Sequence, residues 1–373
     1  MLIQIVSPTE QTVIFSLILI AAILIFTKKK TDLGFFPISV TNELKGLAIL
    51  AIIFSHIGYF LSADTRFLYP FSTMAGVGVD LFLFMSGYGL AISASNKNLS
   101  PWQFYKKRLI KLFVPLWLVI ISLLTLDYLL LKKIYPSAEI IGSVFGYFPQ
   151  ADIYNNLNSP FWYLTLILFF YLIFPWLFDR RWPAISAILM MIAAYLTLQI
   201  DLPVTPAVLN LYQLHYLAFP FGVLLASGFI KISFFQKFFP TRLEKLLYRL
   251  AHFKNWARLI ILILLIATVA HFAVNSGVGQ RPIVAQTISL LTAFGLILIF
   301  LIKKRALAVF NLFGIYSYEI YLIHWPLMYR YDIFYKFLPA WLATIFYLVS
   351  FIVLSWLLQQ AQKNINKKLF LGN

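Results

Sequence analysis

The stretch Asn42–Ser62, NELKGLAILAIIFSHIGYFLS, decides how this chain is read. Most of it is apolar enough to lie in a bilayer, yet it holds Lys45 near its start and His56 in its far half. At about 100° per residue, their separation of eleven residues amounts to roughly three turns plus 20°, so both point to one face. At about 1.5 Å per residue they stand roughly 16 Å apart along the axis. An ionisable side chain inside a span is expensive and marks a functional candidate by default. A lone intramembrane histidine also serves as a hydrogen-bonding strut between helices. From this helix alone both readings stand.

The rest of the chain has the same character. Of 373 residues 61% are hydrophobic and only 12% charged, with a mean hydropathy of +0.85. A soluble domain is closer to about half apolar and a quarter charged. The composition therefore gives a polytopic, all-α integral membrane bundle, and the length suits ten or so spans with short loops. Many of the 37 Phe, 21 Tyr and 9 Trp are expected in interfacial belts. The absence of cysteine excludes disulfides, a thiolate nucleophile and Cys-ligated metal. The first apolar run, Thr12 to Phe26, is followed by Lys28, Lys29 and Lys30. A signal peptide carries its charge before the apolar core, so this reads as an uncleaved first span.

Apolar runs delimited by charge, Pro or Asn give eleven spans: roughly 11–27, 43–62, 74–95, 111–131, 160–178, 183–200, 209–230, 257–274, 284–302, 313–329 and 340–360. If the loop after the first is cytoplasmic, all but Arg66, Lys132, Lys133, Arg281, Arg330 and Lys336 of the 30 Lys and Arg fall on the inner side. That asymmetry predicts a multi-pass cell-membrane protein with its N-terminus outside and its C-terminus cytoplasmic. The net charge of +17 is spread over many short loops facing anionic lipid, which removes any need for a nucleic-acid partner. The longest inner loop, about 231–256, has apolar positions at helical spacing among basic residues and is expected to lie on the inner membrane surface.

Four titratable residues lie within or just inside spans: His56, Asp80, Glu319 and His324. Asp80 sits in AGVGVDLFLFMSGYG, where Gly76, Gly78, Ser86, Gly87 and Gly89 suit close helix packing. An intramembrane carboxylate wants a partner or water. Glu319 and His324 share SYEIYLIHWP; five residues apart, they are separated by roughly 140° and seek partners on other helices. By depth, His324 can meet His56. Pro326 is expected to kink its helix there. No HExxH-like spacing occurs, so a metal is not expected and a histidine general base is the simpler reading. His215 and His271 read as interface or packing residues, and His252 as surface. In SPWQFYKKRLIKLFVP, Ser100 and Pro101 read as an N-cap and first-turn proline starting a short helix along the membrane. Lys107, Arg108 and Lys111 follow at the mouth of the next span, as a stop-transfer anchor or as a site for a phosphorylated donor.

In order, NELKGLAIL…H, GVGVDLFLFMSGYGL, FYKKRLIKLFVPLW, PFWYLTLILFFYLIFPWL and SYEIYLIHWP resemble the motifs of the membrane-bound acyltransferase family three. Its members O-acylate cell-surface sugars. The resemblance covers roughly residues 40–330. It implies that the family's basic residue and histidine on its first helix fall on Lys45 and His56, with Lys where Arg is usual. Its paired arginines fall on Arg108 and Lys111, again with one Lys; Lys keeps the charge and loses the bidentate fork. Family members usually have ten spans, so residues 1–30 read as an added span, 31–362 as the acyltransferase domain and 363–373 as a basic cytoplasmic tail.

The resemblance also implies a cytoplasmic acyl-CoA co-substrate, commonly acetyl-CoA, and no tightly bound cofactor. On that basis Lys45, Lys107, Arg108 and Lys111 would hold the nucleotide phosphates. His56 would act as general base on a glycan or glycolipid hydroxyl, or carry the acyl group itself, tuned by Asp80, Glu319 or His324. Trp162 and Tyr163 read either as part of an interface belt or as a sugar-stacking pair. Some members carry a fused extracytoplasmic transfer domain; none occurs in the sequence up to Asn373, so transfer is expected to be direct or completed by a separate protein. A transporter or flippase of an anionic or lipid-linked substrate would also need intramembrane charges and a broken helix, and stays open as the rival.

Overall fold

The structure is a computed structural model and describes residues 2–30, 36–96, 100–152, 155–230, 255–276 and 282–369. The expected surface helix at about 231–256 falls almost wholly outside them, as does Lys97. In chain order the main helices are α1 (Pro8–Ile25), α2 (Ile38–Ser55), α3 (Ala75–Asn96), α4 (Pro101–Leu131), α5 (Ser137–Val144), α6 (Trp162–Leu177), α7 (Pro183–Thr197), α8 (Pro206–His215) and α9 (Ala218–Ser227). They continue as α10 (Asn255–Val274), α11 (Pro282–Ile302), α12 (Ala308–Ile315), α13 (Ser317–Tyr329) and α14 (Ala340–Leu369). Nine segments among the described residues are long and apolar enough to cross a membrane, and α7 and α13 supply shorter helices at the other two expected spans. The chain is an all-α polytopic membrane bundle.

The helix that opened the sequence reading lies at its centre. Leu44, Ala48, Ile49 and Ile53 of α2 are fully buried, against α3, α12 and α13. Lipid gives helices no hydrophobic reason to associate, so contact depends on small residues that let backbones close up. A methyl at Gly46 would come within 1.8 Å of the Phe310 carbonyl oxygen, and one at Gly314 within 1.8 Å of that of Asn42. The α3–α9 contact is built the same way: a methyl at Gly87 would lie 2.1 Å from Phe219 O, and one at Gly222 2.1 Å from Phe84 O. Gly89, by contrast, faces open space.

One end of the bundle is basic. There Thr27–Lys29 pairs antiparallel with Arg305–Leu307, Lys29 opposite Arg305. Glu43 is buried beneath this pair, accepting from Lys303 Nζ and, at 2.8 Å, from the Leu307 amide. The same end holds the start of α4. Ser100 and Gln103 form a reciprocal capping box and Pro101 occupies the first turn. The short surface helix expected here is instead the first part of one 31-residue helix, because nothing between Pro101 and Pro115 breaks it. At about 1.5 Å per residue α4 is longer than the roughly 30 Å hydrocarbon core, so its basic turns have room beyond the lipid.

The opposite end is clamped by a buried ion pair. Asp127, fully buried at the end of α4, accepts from Arg330 and from the hydroxyls of Tyr331 and Tyr135, the last at 2.6 Å. Arg330 Nη2 also donates to the carbonyls of Asn156 and Leu157, both at 2.8 Å. Two exceptions to the basic-side bias are thus neutralised locally, Arg330 by Asp127 and Arg66 by Asp64. The tenth expected span is interrupted at Tyr316 rather than at Pro326, which lies within α13. Proline has no N–H to give Leu322 O, and Asn158 Nδ2 fills the place at 2.9 Å.

Candidate active site

His56 ends α2 and begins a single wide π turn, His56–Leu61. Such turns re-aim side chains and cluster at functional sites. The widened turn brings His56 edge-on to Trp325 (5.0 Å, 71°) and Phe60 (5.8 Å, 69°). On the far side stands His324 of α13, its ring nearly parallel at 4°, with His56 Nδ1 and His324 Nε2 2.8 Å apart. The depth matching made from sequence is correct here.

The hydrogen-bond pattern assigns the tautomers. His324 is fully buried, and its Nδ1 faces two main-chain carbonyls of its own helix, Tyr321 O at 2.9 Å and Ile320 O at 3.1 Å. A nitrogen facing acceptors carries the proton. In a neutral ring Nε2 is then an acceptor, so His56 must donate from Nδ1. That leaves Nε2 of His56 with a bare lone pair, the form a general base or acyl carrier requires. His56 lines a cavity of about 490 Å³ with Tyr163, Trp162, His215, Tyr321 and Trp325 around it. This lies within the usual size of about 300–1,000 Å³ for small-molecule sites.

Asp80 and Glu319 do not join this pair. Asp80, fully buried on α3, accepts from His215 Nδ1 at 2.7 Å and from the Ser289 hydroxyl of α11. Glu319 lies toward the basic end, where Gln359 Nε2 donates to it at 3.1 Å and Lys111 is within electrostatic reach. His215 is the residue the sequence reading undervalued. Expected as an interface or packing residue, it is buried and also lines the His56 cavity, with Trp162 stacked on it at 5.7 Å and 21°. Trp162 is accordingly buried in the cavity wall rather than in an interfacial belt. His271 is exposed, and His252 lies outside the described residues.

At the basic end, Lys45 is within electrostatic reach of both Lys111 and Arg108, so the three cations form one cluster. Arg108 also lines a second cavity of about 440 Å³, with Asp179, Ser93, Phe104, Phe174 and Trp176. Lys107 is exposed, turned about 100° from Arg108 on its helix. Among the described residues no group of three or more His, Asp or Glu is placed to hold a metal ion.

A helical membrane bundle with a histidine pair in an internal cavity and a cation cluster about three helical turns away suits a transferase that keeps donor and acceptor apart. A family model described as an acyltransferase domain matches residues 42–360. The protein is thus a membrane acyltransferase, which settles the choice between enzyme and transporter. The chain belongs to acyltransferase family 3. The match excludes α1 and the end of α14. No curated protein and no solved structure matches the chain.

Proposed function

We propose that this protein moves an acyl group, most simply acetyl, from cytoplasmic acyl-CoA to a hydroxyl of an extracytoplasmic polysaccharide, peptidoglycan or glycolipid. The observation that carries this reading is the histidine relay. The Ile320 and Tyr321 carbonyls hold the His324 proton, His324 Nε2 holds the His56 proton, and His56 Nε2 is left basic at a cavity.

The donor side is the cluster of Lys45, Arg108 and Lys111, with Lys107 offering a peripheral charge. Clustered cations suit the nucleotide phosphates of CoA. The space beside Arg108 brings aromatic surfaces of Phe104, Phe174 and Trp176 on which a purine can stack. Lys45 and His56 lie about 16 Å apart along one helix, comparable with an extended pantetheine arm. The thioester then reaches His56 while the nucleotide stays at the basic end. Trp162 and Tyr163 offer aromatic surface to the acceptor in the cavity. The basic-end cations, the pairing of Thr27–Lys29 with Arg305–Leu307 and the basic residues of α14 all support placing that end and the C-terminus in the cytoplasm. Residues 1–30 are an added span, 31–362 the catalytic domain and 363–373 a basic tail. A separate extracytoplasmic transferase is a candidate partner for onward transfer.

The test is to incubate purified protein in proteoliposomes with labelled acetyl-CoA and envelope glycans from the producing cell. Wild type should release CoA and label the glycan, and His56→Ala should do neither. Folded wild type that leaves the thioester intact and the glycan unlabelled would defeat the proposal.

A further inference from the structure

The cavity has two histidines with a free basic edge. One is His56. The other is His215, at the last position of α8 and only 5% exposed. Its Nδ1 donates to Asp80 Oδ1 at 2.7 Å, and the other Asp80 oxygen is occupied by the Ser289 hydroxyl. The carboxylate is therefore locked, and in a neutral His215 ring it fixes the tautomer with the proton on Nδ1 and the lone pair on Nε2. Trp162 covers one face of the ring. Gly76 stands at the ring edge: a methyl there would sit 3.5 Å from His215 Cε1, so the lack of one leaves that edge uncovered. The hydrogen bond of His215 among the described residues is made by Nδ1, and the ring lines the cavity that His56 lines. A mere strut between α3 and α8 needs the Nδ1 bond alone. It does not need the ring to line a cavity as well.

We propose that His215 is a second catalytic base, which activates the acceptor hydroxyl, and that Asp80 is its positioning residue. This rests on the acyltransferase reading above. The two histidine pairs then divide the reaction. In the first half, Nε2 of His56 attacks the thioester carbonyl, the C–S bond breaks, and CoA leaves as a thiolate that takes a proton from water. His56 holds the acyl group on Nε2. In the second half, the acceptor oxygen attacks the acyl carbonyl as its proton passes to Nε2 of His215. The C–N bond breaks, its electron pair returns to His56 Nε2, and the ester is released. The His215 imidazolium, facing the Asp80 carboxylate, gives its proton to water, balancing the one taken up by CoA. Separate bases lining one cavity suit a donor arriving from one end and an acceptor from the other.

The experiment compares wild type, His215→Asn and His56→Ala in octyl β-glucoside, whose hexose hydroxyls serve as the probe acceptor. Asparagine keeps an N–H donor for Asp80 and removes the base. Two rates are read: exchange of labelled CoA into acetyl-CoA, and appearance of labelled acetate on the glucoside or in water. His215→Asn should keep the exchange within about threefold of wild type and lose transfer by about a hundredfold or more, while His56→Ala loses both. Transfer by His215→Asn within tenfold of wild type overturns the proposal, as does equal loss of exchange and transfer. So does a wild type that exchanges but passes label to neither acceptor. If His215→Asn melts below the assay temperature, His215→Ala replaces it with imidazole added. Rescue of transfer supports the proposal and its absence overturns it. A wild type that transfers without exchanging CoA defeats the division of labour alone. One that does neither defeats the acyltransferase proposal itself.

Discussion

His324 matters through a proton it keeps. Its Nδ1 hydrogen is held by two main-chain carbonyls, and that fixes which nitrogen of His56 is basic. His324→Ala should therefore lower kcat by about 10²–10⁴-fold, as loss of an orienting partner does in other base-assisted transfers, with little change in KM for acetyl-CoA. Steady-state kinetics on both variants of the pair check this; a KM effect alone would place His324 in binding instead. The basic end should behave oppositely. Arg108→Ala or Lys111→Ala should raise KM for acetyl-CoA about tenfold or more at low salt, less at high salt, and leave kcat nearly unchanged. Lys107→Ala, at an exposed position, should do little. At this scale much was legible in the sequence. The Lys45–His56 face follows from helical period, and the His56–His324 meeting follows from depth. His215 was not legible, because its partner Asp80, and the Ser289 that holds Asp80, lie on two other helices and no local spacing links them. Asp80 invited assignment to His56 for the same reason: sequence shows that a buried carboxylate needs a partner, not which one.

Elements set the positions of these side chains. The π turn at His56–Leu61 aims the His56 imidazole, and nothing in the apolar run announces it, since one extra residue per turn has no compositional mark. The Pro326 break was half legible. Proline does remove a hydrogen bond, yet Asn158 satisfies the freed Leu322 carbonyl and α13 continues to Tyr329. Asn158→Ala should leave that buried carbonyl unpaired and cost about 1–3 kcal/mol, read as a lowered thermal midpoint in detergent. The α3–α9 contact offers a sharper contrast. Gly222→Leu should separate the two helices, because even a methyl would lie 2.1 Å from Phe84 O. Gly89→Leu, on the same α3, faces open space and should leave the melting curve unchanged.

For the whole molecule, the clamp of Asp127, Arg330, Tyr331 and Tyr135 joins α4, α13 and the loop between α5 and α6. Removing one partner of a buried pair is costly, so Asp127→Ala should destabilise the fold by about 3–5 kcal/mol. Burial first, and then the hydrogen bond to Asp127, push the hydroxyls of Tyr135 and Tyr331 well above the ordinary tyrosine value. A group whose folded value is raised gives stability that is present below its unfolded pKa of about 10 and lost as pH rises beyond it. Thermal midpoints should therefore fall above about pH 10, and less steeply in Tyr331→Phe. Span number and bundle class were legible because bilayer thickness and backbone hydrogen bonding leave few alternatives. The clamp was not, since it joins residues some two hundred positions apart.

The most direct test of the account follows the label itself. Purified protein given [acetyl-¹⁴C]acetyl-CoA and denatured at neutral pH before acceptor is added should carry label that is lost in acid and to hydroxylamine, as an acyl-imidazole is, and adding acceptor to the folded protein should discharge it as ester. The label should be absent from His56→Ala and should accumulate in His215→Asn. Full ester formation by His56→Ala would contradict the central claim, whatever else the structure explains.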